Sequence, residues 1–179
     1  MLAGAVLFAQ PKIDGTWYFE QVESGSTNKE GATGDVTMNM TMVFVFSGSS
    51  YNISVDLDAD MTVSGKDKEG NQVDAVMKIT AKGSNNGALT QSGDLFTMTP
   101  GKDKVKVEVD ADVNGLPGGG LFKTMMTPLL KKEVSAILKE ESTFKVLSVT
   151  DTELTIQDVL TEKEIAKGEV PETMVLKKK

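Results

Sequence analysis

Apolar and polar residues alternate along most of the chain from Gly15 onward. Between Tyr51 and Ser64 the apolar positions are Tyr51, Ile53, Val55, Leu57, Ala59, Met61 and Val63, each separated from the next by a polar residue. Successive side chains of a strand point to opposite faces, so this row predicts a strand with one face buried and one in water. The run before it, Val36 to Phe46, puts Val36, Met38, Met40, Met42, Phe44 and Phe46 on one face. Ser47-Gly48-Ser49-Ser50 between the two reads as a hairpin turn. A third row holds Val73, Ala75, Met77, Ile79 and Ala81, bounded by loops expected at Lys66–Gln72 and Lys82–Gly87 from their turn-forming residues. Ala88 to Thr99 reads as a hairpin about Ser92-Gly93-Asp94 leading to Leu95, Phe96 and Met98. Lys104 to Val113 then alternates with Val105, Val107, Val109, Ala111 and Val113 on one face.

One segment breaks this period. After Gly118-Gly119-Gly120, apolar residues fall at Leu121, Met125, Met126, Leu129, Leu130, Val134, Ile137 and Leu138, a helical stripe opposed by lysines and glutamates. Thr127-Pro128 suits an N-cap followed by proline at the first helical position, which predicts the main helix over Pro128 to Glu141. Strands return at Thr143–Thr150 and Glu153–Val159, a hairpin about Thr150-Asp151-Thr152. A polar excursion, Thr161–Glu172, precedes a last strand at Thr173–Lys177. The predicted fold is mainly β: an antiparallel up-and-down barrel of about eight to ten strands, with one amphipathic helix inserted before the last hairpin. A closed barrel removes the sheet edges that otherwise attract other chains. No repeat or linker divides residues 12–179, which read as one domain.

Composition narrows the chemistry. The net charge of -7 opposes binding to a nucleic-acid backbone or an anionic membrane surface. The chain has no Cys, no His and no Arg. Disulfides, thiol nucleophiles, thiolate or imidazole metal ligands and Ser-His-Asp catalysis are therefore closed to it, as is a bidentate guanidinium clamp. No carboxylate pair sits in a recognisable catalytic motif, and Gly118–Gly120 lacks the Lys and Ser/Thr of a phosphate loop. The expectation is a protein that is not an enzyme, with no cofactor and no metal. Two acidic patterns bear on that expectation. Asp56, Asp58 and Asp60 share the wet face of one strand, where lysines such as Lys78, Lys104 and Lys106 can neutralise them across strands. Asp110-x-Asp112-x-Asn114-Gly115 matches the first half of a calcium loop, but its twelfth position is Leu121 rather than Glu.

Residues 1–9 (MLAGAVLFA) are uncharged and apolar, with a plausible cleavage point after Ala9, and read as a signal-peptide remnant. They are too few to span a bilayer as a helix, which takes about 20. The expectation is export to the periplasm or outside, at a bacterial cell envelope, with no integral membrane span.

The phrase IDGTWYFE carries Gly15-Thr16-Trp17, which resembles the Gly-x-Trp opening the first strand of lipocalins. TFKVLSVTDTELTIQD and the final ETMVLKKK resemble the closing strands of bacterial lipocalin-like domain proteins. The similarity in layout covers nearly all of residues 12–179. It implies that Gly15 and Trp17 are structural residues, the Trp packing across the closed end of the barrel. In lipocalins an Arg covers that Trp; here only Lys177 or Lys178 is at hand. The helix also precedes the last hairpin here, whereas in typical lipocalins it follows the barrel.

The resemblance further implies a small hydrophobic molecule or lipid inside the barrel. The inward rows supply the candidate lining: Met38, Met40, Met42, Phe44, Tyr51, Ile53, Val55, Leu57, Met77, Ile79, Phe96, Met98, Val107 and Val109. Methionine suits permissive apolar sites because it is flexible and polarizable. The leading expectation is an exported binding protein with the helix as a lid. Its alternative is a structural or interaction protein of the cell envelope whose core is solid.

Overall fold

The computed structural model describes residues 10–29, 32–66, 70–102, 105–115 and 119–179. The expected signal segment (1–9), Lys104 and Gly118 lie outside them, as do the side chains of Leu121 and Met126.

The alternating rows form the expected strands: β1 (Gly15–Lys29), β2 (Ala32–Ser47), β3 (Ser50–Lys66), β4 (Gln72–Ser92), β5 (Leu95–Pro100) and β6 (Lys106–Asn114). Helix α1 (Gly119–Ile137) follows, then β7 (Ser142–Val149), β8 (Glu153–Asp158), α2 (Glu162–Ala166) and β9 (Thr173–Lys178). Every strand pairing is antiparallel. Eight strands close on themselves in the order β1-β2-β3-β4-β5-β7-β8-β9, with β9 returning to β1 and β3 joined to β4. Mainly β, antiparallel and up-and-down, with the helix ahead of the β7–β8 hairpin, the fold is the expected one.

Strand length decides the shape. β1 to β4 run for 15, 16, 17 and 21 residues, whereas β7, β8 and β9 have 8, 6 and 6. The barrel therefore closes only where the short strands reach. Beyond them β1, β2, β3 and β4 continue as an open sheet. β6 joins its β4 edge, pairing Val76–Ser84 of β4 while β5 pairs Gly87–Ser92. β5 and β6 thus share one edge of β4 in succession, and β6 with α1 forms an excursion between β5 and β7.

Three expectations are corrected. Lys82–Gly87 is not a loop: β4 runs through it, pairing Val55↔Gly83 and Tyr51↔Gly87. A Cβ on Gly87 would stand 2.1 Å from the carbonyl oxygen of Thr99 and 2.8 Å from the Tyr51 ring. The glycine thus marks a close backbone approach inside a strand rather than a turn. The helix begins at Gly119, not Pro128, with Pro128 inside it. Packing against β6 and an ion pair from Lys123 to Asp110 (2.7 Å) hold the first turns despite the proline. Finally, the excursion at Thr161–Glu172 contains α2, begun by a capping box. The Glu164 amide donates to the Thr161 hydroxyl, and the Thr161 amide donates to the Glu164 carboxylate.

Candidate functional site

The predicted lining residues fall on the inner face, and the structure divides them between two environments. In the closed half Phe44, Phe46, Tyr51, Leu89, Phe96, Met98, Val146, Leu154, Ile156 and Leu176 are all buried, with Ile53 packed against them. Phe44, Phe46, Phe96 and Phe144 form a column with successive ring centroids 5.9, 5.5 and 5.4 Å apart. Such spacings are those of favourable aromatic pairs. Side chains fill this half, so Phe44, Tyr51, Phe96 and Met98 belong to a packed core. Burial pushes the Tyr51 hydroxyl above its ordinary pKa by disfavouring the phenolate.

Trp17 closes the bottom. It is 1% exposed, and its indole Nε1 donates to the Ile13 carbonyl at 2.7 Å. The Lys178 ammonium stands 5.3 Å from its ring centroid. Gly15 has a φ of 138°, a backbone region that favours glycine, and a Cβ there would touch Lys178 and the indole.

In the open half the inner rows are apolar and half-exposed. Met38, Met40 and Met42 face across to Ala59, Leu57 and Val55, and Ala59 and Leu57 face Ile79 and Ala81. Ala81 in turn faces Val109 of β6. These rows make a trough floored by β2, β3 and β4 and walled by β6. Met77, Ala81 and Val107 lie on the same face but are buried. On the β1 wall the row becomes polar, with Gln21 opposite Met40 and Glu23 opposite Met38. The Gln21 amide donates to the Glu23 carboxylate at 2.7 Å. At the far tip an apolar recess of about 250 Å³ opens between Gly25, Gly34, Val36, Met61 and Val63.

The helix docks at the mouth where the two halves meet. A Cβ on Gly83 would lie 2.6 Å from Leu138 Cδ1 and 3.1 Å from Val134 Cγ1, so the missing side chain is the notch that receives the end of α1. Beside it Asn85, 3% exposed, donates from Nδ2 to the Leu138 carbonyl at 2.7 Å. That bond satisfies a carbonyl the helix end leaves open. Of the predicted stripe, Leu138 is buried and Leu130 and Val134 are half-buried, whereas Met125, Leu129 and Ile137 are exposed. Gly83 and Asn85 were not predicted as site residues. Their signal was the break in the inner apolar row at Lys82–Gly87.

The acidic patterns have partners. On the outer face Lys82 holds Asp56 at 3.0 Å and Lys78 holds Asp60 at 3.6 Å. The Lys82 pKa rises because of its bond to Asp56, reinforced by the nearby charges of Asp58 and Glu108. Asn39, Thr41, Lys106 and Glu108 join them around a groove of about 520 Å³ whose lining also takes in Val55 and Gly83. Asp110, Asp112 and Asn114 sit on extended backbone of β6, at spacings of about 6.6 Å, rather than in a loop that could wrap a cation. Asp110 is engaged by Lys123, and Asp112 accepts from Asn114 at 3.2 Å. No helix among the described residues is long and apolar enough to cross a membrane.

No known protein-family model matches the chain, and no curated protein sequence matches it.

Proposed function

We propose that this is a lipocalin-like carrier of a small hydrophobic molecule or lipid, held against the inner face of the open half with α1 as its cover. The closed half is the solid base of this carrier. The observation that carries the reading is the half-exposed state of Met38, Met40, Met42, Val55, Leu57, Ala59, Met61 and Ile79, a contiguous apolar surface on the concave side of a sheet. Burying ligand against it would contribute roughly 25 cal/mol per Å² before ordering costs. The reading is non-catalytic, and the composition of residues 1–9 supports export to the periplasm or outside.

The test is the intact mass of the natively purified protein, kept free of delipidating steps, under gentle ionisation. A carrier shows added mass that disappears on denaturation. Val55→Trp, which fills the trough, should lower loading at least about tenfold, the effect of losing roughly 1.4 kcal/mol of ligand contact. Val43→Trp on the outer face should leave it unchanged. A second reading rests on the filled closed half: a structural or interaction protein with a solid core. A bare mass after challenge with lipid extracts, in both wild type and Val55→Trp, would favour it over the carrier.

A further inference from the structure

Among the described residues, the long strand β1 has much of one edge without a strand partner. Only Trp17 and Tyr18 pair with β9, opposite Lys178 and Lys177, and the Lys179 amide donates to the Thr16 carbonyl. The Thr16 carbonyl therefore faces the β9 side. Backbone groups of successive strand residues turn to opposite edges, so even-numbered residues of β1 face that side and odd-numbered ones face β2. The β1–β2 register runs from Gly15↔Phe46 to Lys29↔Ala32 without a shift, which carries this parity along the strand. Beyond Tyr18, Glu20, Val22, Ser24, Ser26 and Asn28 turn their amides and carbonyls outward. Among the described residues no strand pairs with them. A row of this kind is a template for another strand.

We propose that this edge is a self-association surface, on which β1 of a second copy pairs antiparallel with β1 of the first about a two-fold axis at Ser24. A two-fold junction repeats each contact, and only registers that set even residues opposite even residues form its hydrogen bonds. An axis at Glu23 would set two carboxylates face to face, which is repulsive. An axis at Val22 gives only the Glu20–Ser24 and Val22–Val22 pairs before it reaches Tyr18, which β9 already holds. An axis at Gly25 starts the pairing only at Val22. The axis at Ser24 uses all five outward residues, pairing Glu20 with Asn28, Val22 with Ser26 and Glu23 with Gly25. It opposes no like charges and forms about ten hydrogen bonds, two per outward pair. Gly25 is exposed, and a Cβ on it would meet only Val36 Cγ1, at 3.7 Å, so the position facing Glu23 accepts a side chain.

The experiment is sedimentation velocity of the full chain across the micromolar range, with cross-linking at single introduced cysteines, since the chain has none of its own. The wild type should pass from monomer to dimer as concentration rises. Ser24→Cys should oxidise to a covalent dimer, because facing α-carbons about 5.5 Å apart lie within disulfide reach. Val22→Cys should not. Ser24→Pro removes an outward amide while sparing the β1–β2 backbone ladder, at the loss of the exposed Ser24–Thr37 hydroxyl contact, and should abolish the dimer while circular dichroism keeps the fold. Gly25→Lys, facing Glu23 twice across the axis, should tighten the dimer about tenfold, and Gly25→Glu should weaken it by a similar factor. A wild type that stays monomeric at every concentration would overturn the proposal and leave Glu23 as a guard charge on the edge. A dimer indifferent to Ser24→Pro and to the charge at residue 25 would overturn it equally.

Discussion

At the residue scale the closed base rests on a few side chains that have no freedom to change. Trp17, Leu154 and Leu176 are 1%, 0% and 0% exposed, and the indole N–H has its one acceptor in Ile13. Trp17→Ala would leave a large cavity and strand the Ile13 carbonyl. The expected loss is about 3–5 kcal/mol, read as a fall in the urea midpoint. Lys178→Met should cost only about 0.5–1 kcal/mol, because that cation is near the surface and its contribution is the contact with the ring alone. Gly87→Ala is the sharper case. Its new methyl would meet the Thr99 carbonyl, which is backbone and cannot rotate away. The β4–β5 pairing must then part, and Gly87→Ala should destabilise by more than a Gly→Ala change in an open strand would stabilise. Trp17 was legible because Gly-x-Trp opens an alternating chain. Gly83, Asn85 and Gly87 were not, because the same letters that build turns also permit close approach within a strand. Only the helix, Tyr51 and Thr99 beyond them decide between the two.

At the element scale α1 is an element none of whose described side chains is fully buried. Its far end is seated by Gly83 and Asn85, and its near end by the Lys123–Asp110 pair, whose side chains are 48% and 73% exposed. Gly83→Val should lift the end of the helix from the sheet while the barrel stays closed, seen as faster hydrogen exchange in residues 119–137 with β7–β9 unchanged. The ion pair gives a pH dependence with a definite sign. The bond from Lys123, and then its charge, hold the Asp110 carboxyl below the usual carboxylate range, and the same bond raises Lys123. The pair's contribution is therefore complete at neutral pH and is lost as pH falls through the lowered Asp110 value. Protection of the α1 amides, taken relative to their intrinsic exchange rate at each pH, should fall on acidification through and below the ordinary Asp range, and Lys123→Met should remove that pair-dependent step. The helix was legible from its stripe but not its start, because proline reads as a first-turn signal and the contacts of the preceding turns with β6 leave no mark in the sequence. The brief α2 was legible in Thr161-x-x-Glu164, although no apolar stripe accompanies it.

At the scale of the whole molecule, one sheet is asked to be both a sealed barrel and an open trough. The period of two placed the inner and outer faces correctly in every row, yet it carries no record of how far neighbouring strands overlap. Closure depends on that overlap. Because β8 and β9 end after six residues each, the long strands β1 to β3 leave the closed barrel partway along their length. The consequence is a gradient of protection. Amides of β8, β9 and the first part of β1 lie in ladders bonded on both edges over a packed aromatic column, and should open only with global unfolding. Amides of β1 beyond Tyr18 should split by parity. In the monomer the odd ones bond to β2, whereas those of Glu20, Val22, Ser24, Ser26 and Asn28 meet water and should exchange within the dead time of an NMR measurement. If the even amides are as slow as the odd ones at the lowest concentrations measured, a strand of the same chain covers that edge. If they slow only as concentration rises, a second copy does.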